Sequence, residues 1–248
     1  MQIKEALKIH FGYDEFKTGQ EELIDGVMNG RDVLGIMPTG GGKSLCYQLP
    51  AVILEGLTIV ISPLISLMKD QVDSLNEIGI PSTFINSSVG NNELLERVED
   101  IKNKKYKIIY VAPERLSTHM FLNLVRSVDL SLVAIDEAHC ISQWGHDFRP
   151  SYVDIPRFIN SLEKRPVVAA FTATATEEVV KEIKSLIELR DPVEVITGFD
   201  RPNLTYRVVK PSDKFTYLKE YIESLPEEYS GVIYCSTRKA VDLSLIHI

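Results

Sequence analysis

Cysteine is scarce in this chain of 248 residues: Cys46, Cys140 and Cys235 lie far apart, form no CxxC pair and are odd in number. That spacing argues against a disulfide framework and against a zinc site, and it fits a reducing cytosol. Long hydrophobic runs are lacking as well. The most apolar stretch, Ile59 to Met68, is broken by Ser62, Pro63 and Ser66, while Met1 to His10 mixes charges through every turn. Neither a membrane span nor a secretory leader is expected, and the location read from this is cytoplasmic. Positive charge is in deficit, with 27 Lys and Arg against 35 Asp and Glu, a net −8. A protein that coats nucleic acid through bulk positive charge is thereby excluded, but a local basic track is not.

What is present is an ordinary globular composition, 44% hydrophobic. That suffices for one core and the start of a second, since soluble domains usually span about 100–200 residues. Apolar runs predict strands at Asp32–Met37, Leu57–Ile61, Ser82–Ile85, Lys107–Val111, Leu130–Asp136, Val167–Phe171 and Val193–Ile196. Segments of helical period lie between them, at Lys43–Leu54, Leu64–Gly79, Asn91–Lys104, Glu114–Val128, Tyr152–Leu162 and Glu177–Leu189. The alternation predicts an α/β fold, a parallel sheet sandwiched by helices. After Ile196 the stretch Thr197–Asn203, TGFDRPN, has the Gly, Asp, Pro and Asn of a connector. A strand (Leu204–Val209), a helix (Ser212–Leu225) and a strand (Gly231–Cys235) then restart the pattern. The expected organisation is a first domain over 1–197, a linker over 198–203 and the beginning of a second domain over 204–248.

The segment Asp32–Ser44, DVLGIMPTGGGKS, sets a strand directly before a glycine-rich turn and a helix. This order suits a triphosphate: backbone amides wrap the phosphates, and the helix N-terminus favours negative charge. Lys43 would reach the outer phosphates and Ser44 would ligate Mg2+. Gly40, Gly41 and Gly42, after Thr39, let the backbone approach where a Cβ would clash. Met37 stands where the strict P-loop pattern wants glycine. A second strand ends in LVAIDEAH, Leu132–His139. There Asp136 would hold Mg2+ through water, and Glu137 would orient and deprotonate an attacking water. FTATAT, Phe171–Thr176, adds small hydroxyl residues at a third strand end, Thr172 and Thr174 among them, suited to a relay. Beside the acids, CISQWGHDFRPSY over Cys140–Tyr152 holds the sole tryptophan, Trp144, with Phe148 and Arg149. Such a loop either stacks on bases or buries its tryptophan.

Together MPTGGGKS, IDEAHC and FTATAT resemble the first motor domain of superfamily 2 helicases, and further segments resemble the RecQ family of DNA helicases over nearly the whole chain. The resemblance implies a RecA-like fold with the start of a second RecA-like domain. It implies ATP and Mg2+ as cofactors, single-stranded and branched DNA as partners, and 3′ to 5′ movement in repair and recombination. FGYDEFKTGQ, Phe11–Gln20, resembles the family's adenine-binding segment, which would give Tyr13 the stacking role and Gln20 the adenine edge. Lys17 stands where the family has arginine, keeping charge but not planar stacking. Tyr13 and Phe16 also read as ordinary helix packing.

By the same likeness His139, Gln143, Trp144, His146, Phe148 and Arg149, with Thr172 and Thr174, couple strand contact to hydrolysis. SPLISLMKDQ and YVAPERL resemble segments that hold the DNA backbone, through Ser62, Pro63, Leu64 and Glu114. The family's ATP-site arginines, its four-cysteine zinc module and its winged helix would fall beyond residue 248, and Val241–Ile248 departs from the family pattern. Without those arginines turnover by these 248 residues alone should fall roughly 10³–10⁵-fold. The rival readings are an RNA-unwinding relative, a P-loop phosphotransferase and a non-catalytic nucleotide- or DNA-binding module.

Overall fold

The computed structural model describes residues 2–144, 147–198, 204–238 and 241. Seven strands form one sheet: β1 (Val33–Ile36), β2 (Leu57–Ile61), β3 (Ser82–Ile85), β4 (Ile108–Val111), β5 (Leu130–Ile135), β6 (Val167–Thr172) and β7 (Val193–Ile196). Their order is β3-β4-β2-β5-β6-β1-β7, and every pair is parallel. Both faces of the central strands are covered, because their alternate residues serve opposite cores, while the edge strand β7 exposes Glu194 and Ile196. Leu34, Ile36, Val133 and Ile135 meet α5 (Asn91–Lys102), α6 (His119–Arg126), α7 (Asp154–Asn160) and α8 (Glu177–Ile187) on one side. Val33, Leu132, Ala134 and Phe171 meet α2 (Gln20–Met28), α3 (Leu45–Ile53) and α4 (Ile65–Glu77) on the other. This is the expected RecA-like sandwich.

The structure departs from the helix expectations in three places, each with a local cause. Ahead of the sheet the chain forms α1 (Ile3–Ala6), a π turn over Leu7–Phe11 and α2, none of which the periodicity separated. The single helix expected over Glu114–Val128 is broken into a 3₁₀ turn (Pro113–Arg115) and α6. There Thr118 bonds back to the Arg115 carbonyl through both its amide (3.1 Å) and its hydroxyl (2.7 Å), in competition with the helical ladder. In Tyr152–Leu162 the α-helix begins only at Asp154, after a 3₁₀ turn over Pro150–Val153. A helix begun at Tyr152 would need an amide from Pro156, which has none; starting at Asp154 leaves Pro156 in the first turn, where no donor is required. Thr176 caps α8, its hydroxyl accepting from the Val179 amide.

By its contacts the chain divides into two compact units, Met1–Phe199 and Asp200–Ile248. In the second, α9 (Lys214–Glu223) forms within the expected helix, with Asp213 accepting from the Phe215 amide at 3.0 Å. The strands expected at Leu204–Val209 and Gly231–Cys235 do not form. A β ladder needs a neighbouring backbone, and here none pairs with either segment among the described residues, while Val208 and Tyr234 stand about nine-tenths exposed. Most of the expected linker, residues 199–203, and residues 242–248 of the divergent tail lie outside the described residues. No helix among the described residues is long and apolar enough to cross a membrane.

Candidate functional site

The turn between β1 and α3 needs glycine at two positions, for its backbone conformation at Gly40 and Gly42 and for the close approach of the Gln20 side chain at Gly42. Gly40 and Gly42 take φ of 82° and 80°. A Cβ on Gly42 would lie 2.3 Å from Gln20 Nε2. Gln20 is buried, donates to the Gly42 carbonyl at 3.0 Å and accepts from the Lys17 amide at 2.8 Å. The Lys17 ammonium donates to the Gly40 carbonyl at 2.9 Å, so both residues of the expected adenine segment also brace the turn. Met37 is buried in the core. The position that lacks the strict pattern's glycine thus belongs to the strand end rather than to the cradle. Half-buried Lys43 donates to the Met37 carbonyl at 3.2 Å, and α3 opens just beyond it. Thr39 is exposed and Ser44 half-buried at the first turn of α3.

Beside the cradle lies a cleft of about 420 Å³, lined by Phe11, Tyr13, Lys17, Gln20 and Gly42 together with a wall from α3 and α4. That is the size of a small-molecule site. Tyr13 stands exposed at its mouth, not packed as a core residue. The α4 wall, Gln71, Ser74 and Leu75 with Ile78 at the helix's C-cap, went unrecognised in the sequence, although its spacing is a single helical stripe. Gln48 closes the wall by donating to Gln71 and to the Tyr110 hydroxyl, both at 2.9 Å.

The acids stand at the carboxyl end of β5, two strands from β1, with β6 between. The Asp136 amide donates to the Ile61 carbonyl at 2.9 Å, and the Tyr152 hydroxyl donates to the Asp136 carbonyl at 2.8 Å, which fixes the strand end. Burial, and secondarily the neighbouring Glu137, push the Asp136 carboxyl from 3.8 to about 6. The Lys43 charge is near enough to favour its ionised form. Ser62 presents a buried hydroxyl toward this carboxyl that meets hydrogen-bond geometry with no partner among the described residues.

A folded-state pKa above the ordinary value means that stability is fully present below the ordinary value and is lost as pH rises through about 6. Replacing Asp136 by Asn should therefore raise the stability of the metal- and nucleotide-free protein at alkaline pH by on the order of 2 kcal/mol. Urea unfolding across pH 5 to 8 checks this; a variant with unchanged stability and an unchanged pH slope would refute it.

Glu137 leaves the strand in the left-handed region, φ 48°, a conformation that costs a non-glycine residue about 1–3 kcal/mol. Its carboxylate lies 3.3 Å from His139 Nδ1, which lies 2.7 Å from Thr172 Oγ1. The Thr172 hydroxyl donates its one proton to the Thr174 carbonyl at 3.1 Å, so His139 Nδ1 carries the hydrogen in their mutual bond. Thr172 also accepts the Met37 amide on its carbonyl at 3.0 Å. A continuous chain of contacts thus runs from the cradle through β6 to both acids. His139 and Thr172 are buried, so neither presents a side chain to a strand; Thr174 is exposed.

Past a 3₁₀ turn (Ala138–Ile141) the aromatic segment leaves the acids. The buried alternative for Trp144 fails: the ring is 79% exposed. Gln143 is exposed and Phe148 half-buried, while His146 lies outside the described residues. Arg149 grips Asp147 Oδ2 with Nε and Nη2, at 3.2 and 3.1 Å, and donates from Nη1 to the Pro63 carbonyl at 3.1 Å. The loop is thereby tied to the segment after β2, where backbone contacts with a strand are expected.

Residues 17–183 match the DEAD/DEAH box helicase family, and the chain belongs to that family. Within it the likeness is to RecQ proteins. The chain is 50% identical over 234 residues to "ATP-dependent DNA helicase RecQ" of Bacillus subtilis (strain 168), which covers 94% of this chain and 39% of that protein. It is 44% identical over 241 residues to the protein of the same name from Haemophilus influenzae (strain ATCC 51907 / DSM 11121 / KW20 / Rd), 96% of this chain and 38% of that one. The chain therefore spans about two-fifths of these relatives' length. It is also 42% identical over 253 residues to "Putative ATP-dependent RNA helicase R290" of Acanthamoeba polyphaga mimivirus, 99% of this chain and 45% of that one. Among solved structures the fold matches a helicase titled "DUF1998 helicase MrfA bound to DNA and AMPPNP" with a TM-score of 0.72, 20% identity, and 99% and 37% coverage of the two chains.

Proposed function

We propose that this chain is the nucleotide-binding motor of a RecQ-type ATP-dependent DNA helicase that moves 3′ to 5′ in repair and recombination, and that these 248 residues alone bind ATP but turn it over slowly. One observation carries the reading: the glycine cradle and the acid pair end strands that flank β6, close enough for Lys43 to act on Asp136. The residues fit magnesium and a triphosphate. Gly40 and Gly42 take the positive φ that a phosphate-wrapping turn asks of glycine, and the buried Asp136 carboxylate and Ser62 hydroxyl offer the hard oxygen donors that magnesium takes. Ser44 and Asp136, the latter through water, would hold the ion, which when bound neutralises charge on the phosphates. Glu137 orients the attacking water and accepts its proton. Tyr13 stacks on the adenine at the cleft mouth, and Lys17 and Gln20 hold the turn against it.

His139 and Thr172 pass the state of Glu137 to the loop, where Trp144 and Phe148 offer stacking surfaces and Arg149 couples them to the Pro63 backbone. Single-stranded and branched DNA are the partners, in the cytoplasm, with the zinc module expected beyond this segment. RNA as the strand is the second reading, supported by the name of the mimiviral relative. Comparing DNA with RNA as the stimulator of ATPase activity, in a longer polypeptide carrying the second motor domain, decides between them.

Replacing Lys43 by Ala should weaken ATP binding about 10–100-fold, the range expected for a lost charge-assisted phosphate contact. The fold should survive, because the ammonium's hydrogen bond is to one strand-end carbonyl. Titration calorimetry reads the affinity, and an unchanged value would defeat the nucleotide-site assignment.

A further inference from the structure

Three metal-ligand groups meet just past the acids: His139, Cys140 and Asp147 place one ligand atom each within 4.8 Å of one another. Cys140 Sγ is 3.8 Å from His139 Nε2 and 3.9 Å from Asp147 Oδ2. Tetrahedral zinc, with bonds of about 2.0–2.3 Å, sets its sulfur and nitrogen ligands roughly 3.5 Å apart, so both neighbours of Cys140 Sγ stand near that spacing. The imidazole is already prepared for coordination. Its Nδ1 hydrogen is engaged by Thr172 Oγ1 at 2.7 Å with the Glu137 carboxylate at 3.3 Å. In the neutral ring this puts the lone pair on Nε2, on the Cys140 side, and an outer partner on the opposite nitrogen is the usual support of a zinc-bound histidine. His139 and Cys140 are buried, whereas Asp147 is half exposed and opens the approach from solvent.

We propose that His139, Cys140 and Asp147 form a binding site for a thiophilic divalent cation such as Zn2+, which clamps the aromatic loop to the end of β5. The mixed imidazole, thiolate and carboxylate set selects zinc or cobalt over magnesium and calcium. On binding, the Cys140 S–H bond breaks, a metal–sulfur bond forms and the proton passes to solvent. Burial and Asp147 push the free thiol up to about 12, so without an ion it stays protonated. Asp147 Oδ2 is also the acceptor for Arg149, so an ion loosens Arg149 from its carboxylate. The widely spaced cysteines gave no hint of such a site, because two of its three ligands are not cysteine. The proposal is independent of what the neighbouring acids hydrolyse.

The test is cobalt titration of the 248-residue chain, followed by thiolate-to-metal charge-transfer absorption and by emission of Trp144, the only tryptophan. One cobalt per chain should bind with a thiolate band and a parallel change in Trp144 emission, and Zn2+ should displace it while excess Mg2+ does not. Cys140→Ser should abolish the band and Cys235→Ser should retain it. Asp147→Asn, a change at an exposed loop position, should weaken binding at least about tenfold, the smallest loss expected even for an outer partner. A missing thiolate band, a band that persists in folded Cys140→Ser, or unaltered affinity in Asp147→Asn would each overturn the site. Should Cys140→Ser fail to fold, the Asp147→Asn affinity decides alone.

Discussion

Replacing Glu137 by Gln should lower DNA-stimulated ATP hydrolysis about 10²–10⁴-fold, the usual worth of a positioned general base, while ATP affinity stays within about twofold. The measurement belongs in a longer polypeptide that carries the second motor domain, with binding checked by calorimetry. An unusual backbone positions the side chain proposed as the base. Its φ of 48° turns the chain off the β5 axis, so the carboxylate swings toward His139 instead of alternating across the sheet with Asp136. Glutamine keeps that conformation and can still accept a hydrogen bond from His139 Nδ1, but it cannot take a proton from water. Stability should therefore be nearly unchanged. If instead affinity collapsed along with turnover, Glu137 would be a binding residue and not the base.

The central strands were legible in the sequence because they are buried on both faces and so read as short apolar runs, while the edge strand Val193–Ile196 alternates buried and exposed residues. Leu57–Ile61, Ser82–Ile85 and Val193–Ile196 begin and end where their composition places them. Strand order was not legible, since it depends on pairings between segments distant in the chain, such as Val33 with Ala169. Helix ends slipped where a side chain or a missing amide outbid the helical ladder, at Thr118 and Pro156. In the second unit, alternation suggested strands at 204–209 and 231–235, but a strand is a relation between segments, and composition alone does not supply a partner.

The cradle and the acids could be read because each sits at a strand end within a few residues of its own motif. The contacts that knit them are long-range: Gln20 to Gly42, His139 to Thr172 and Arg149 to Pro63. The α4 wall of the cleft carried a readable stripe, yet nothing in its residue types marks it as lining a cleft.

The largest stability effect should come from a residue whose composition suggested only the start of a strand. Asp32 is buried and accepts four hydrogen bonds: from Arg165 Nη1 (3.0 Å) and Nη2 (2.6 Å), from the Val168 amide (2.9 Å) and from the Arg190 amide (2.7 Å). One carboxylate thereby joins the amino ends of β1 and β6 to the connection that leads into β7. Asp32→Ala would leave a mostly buried guanidinium without its counter-charge and two amides without acceptors. The expected cost is about 3–5 kcal/mol, a large part of the total stability of a domain. Asp32→Asn keeps an acceptor and should cost less. Replacing both Asp32 and Arg165 by apolar residues of similar volume should recover much of the loss, because no charge is then stranded. Urea unfolding of the four proteins tests the series. A double variant as unstable as Asp32→Ala would show that the amide contacts, not the ion pair, carry the effect. Because β1 delivers the cradle and β6 delivers Thr172 in register with Ile36, loosening this clasp should also weaken ATP binding under conditions where the protein remains folded.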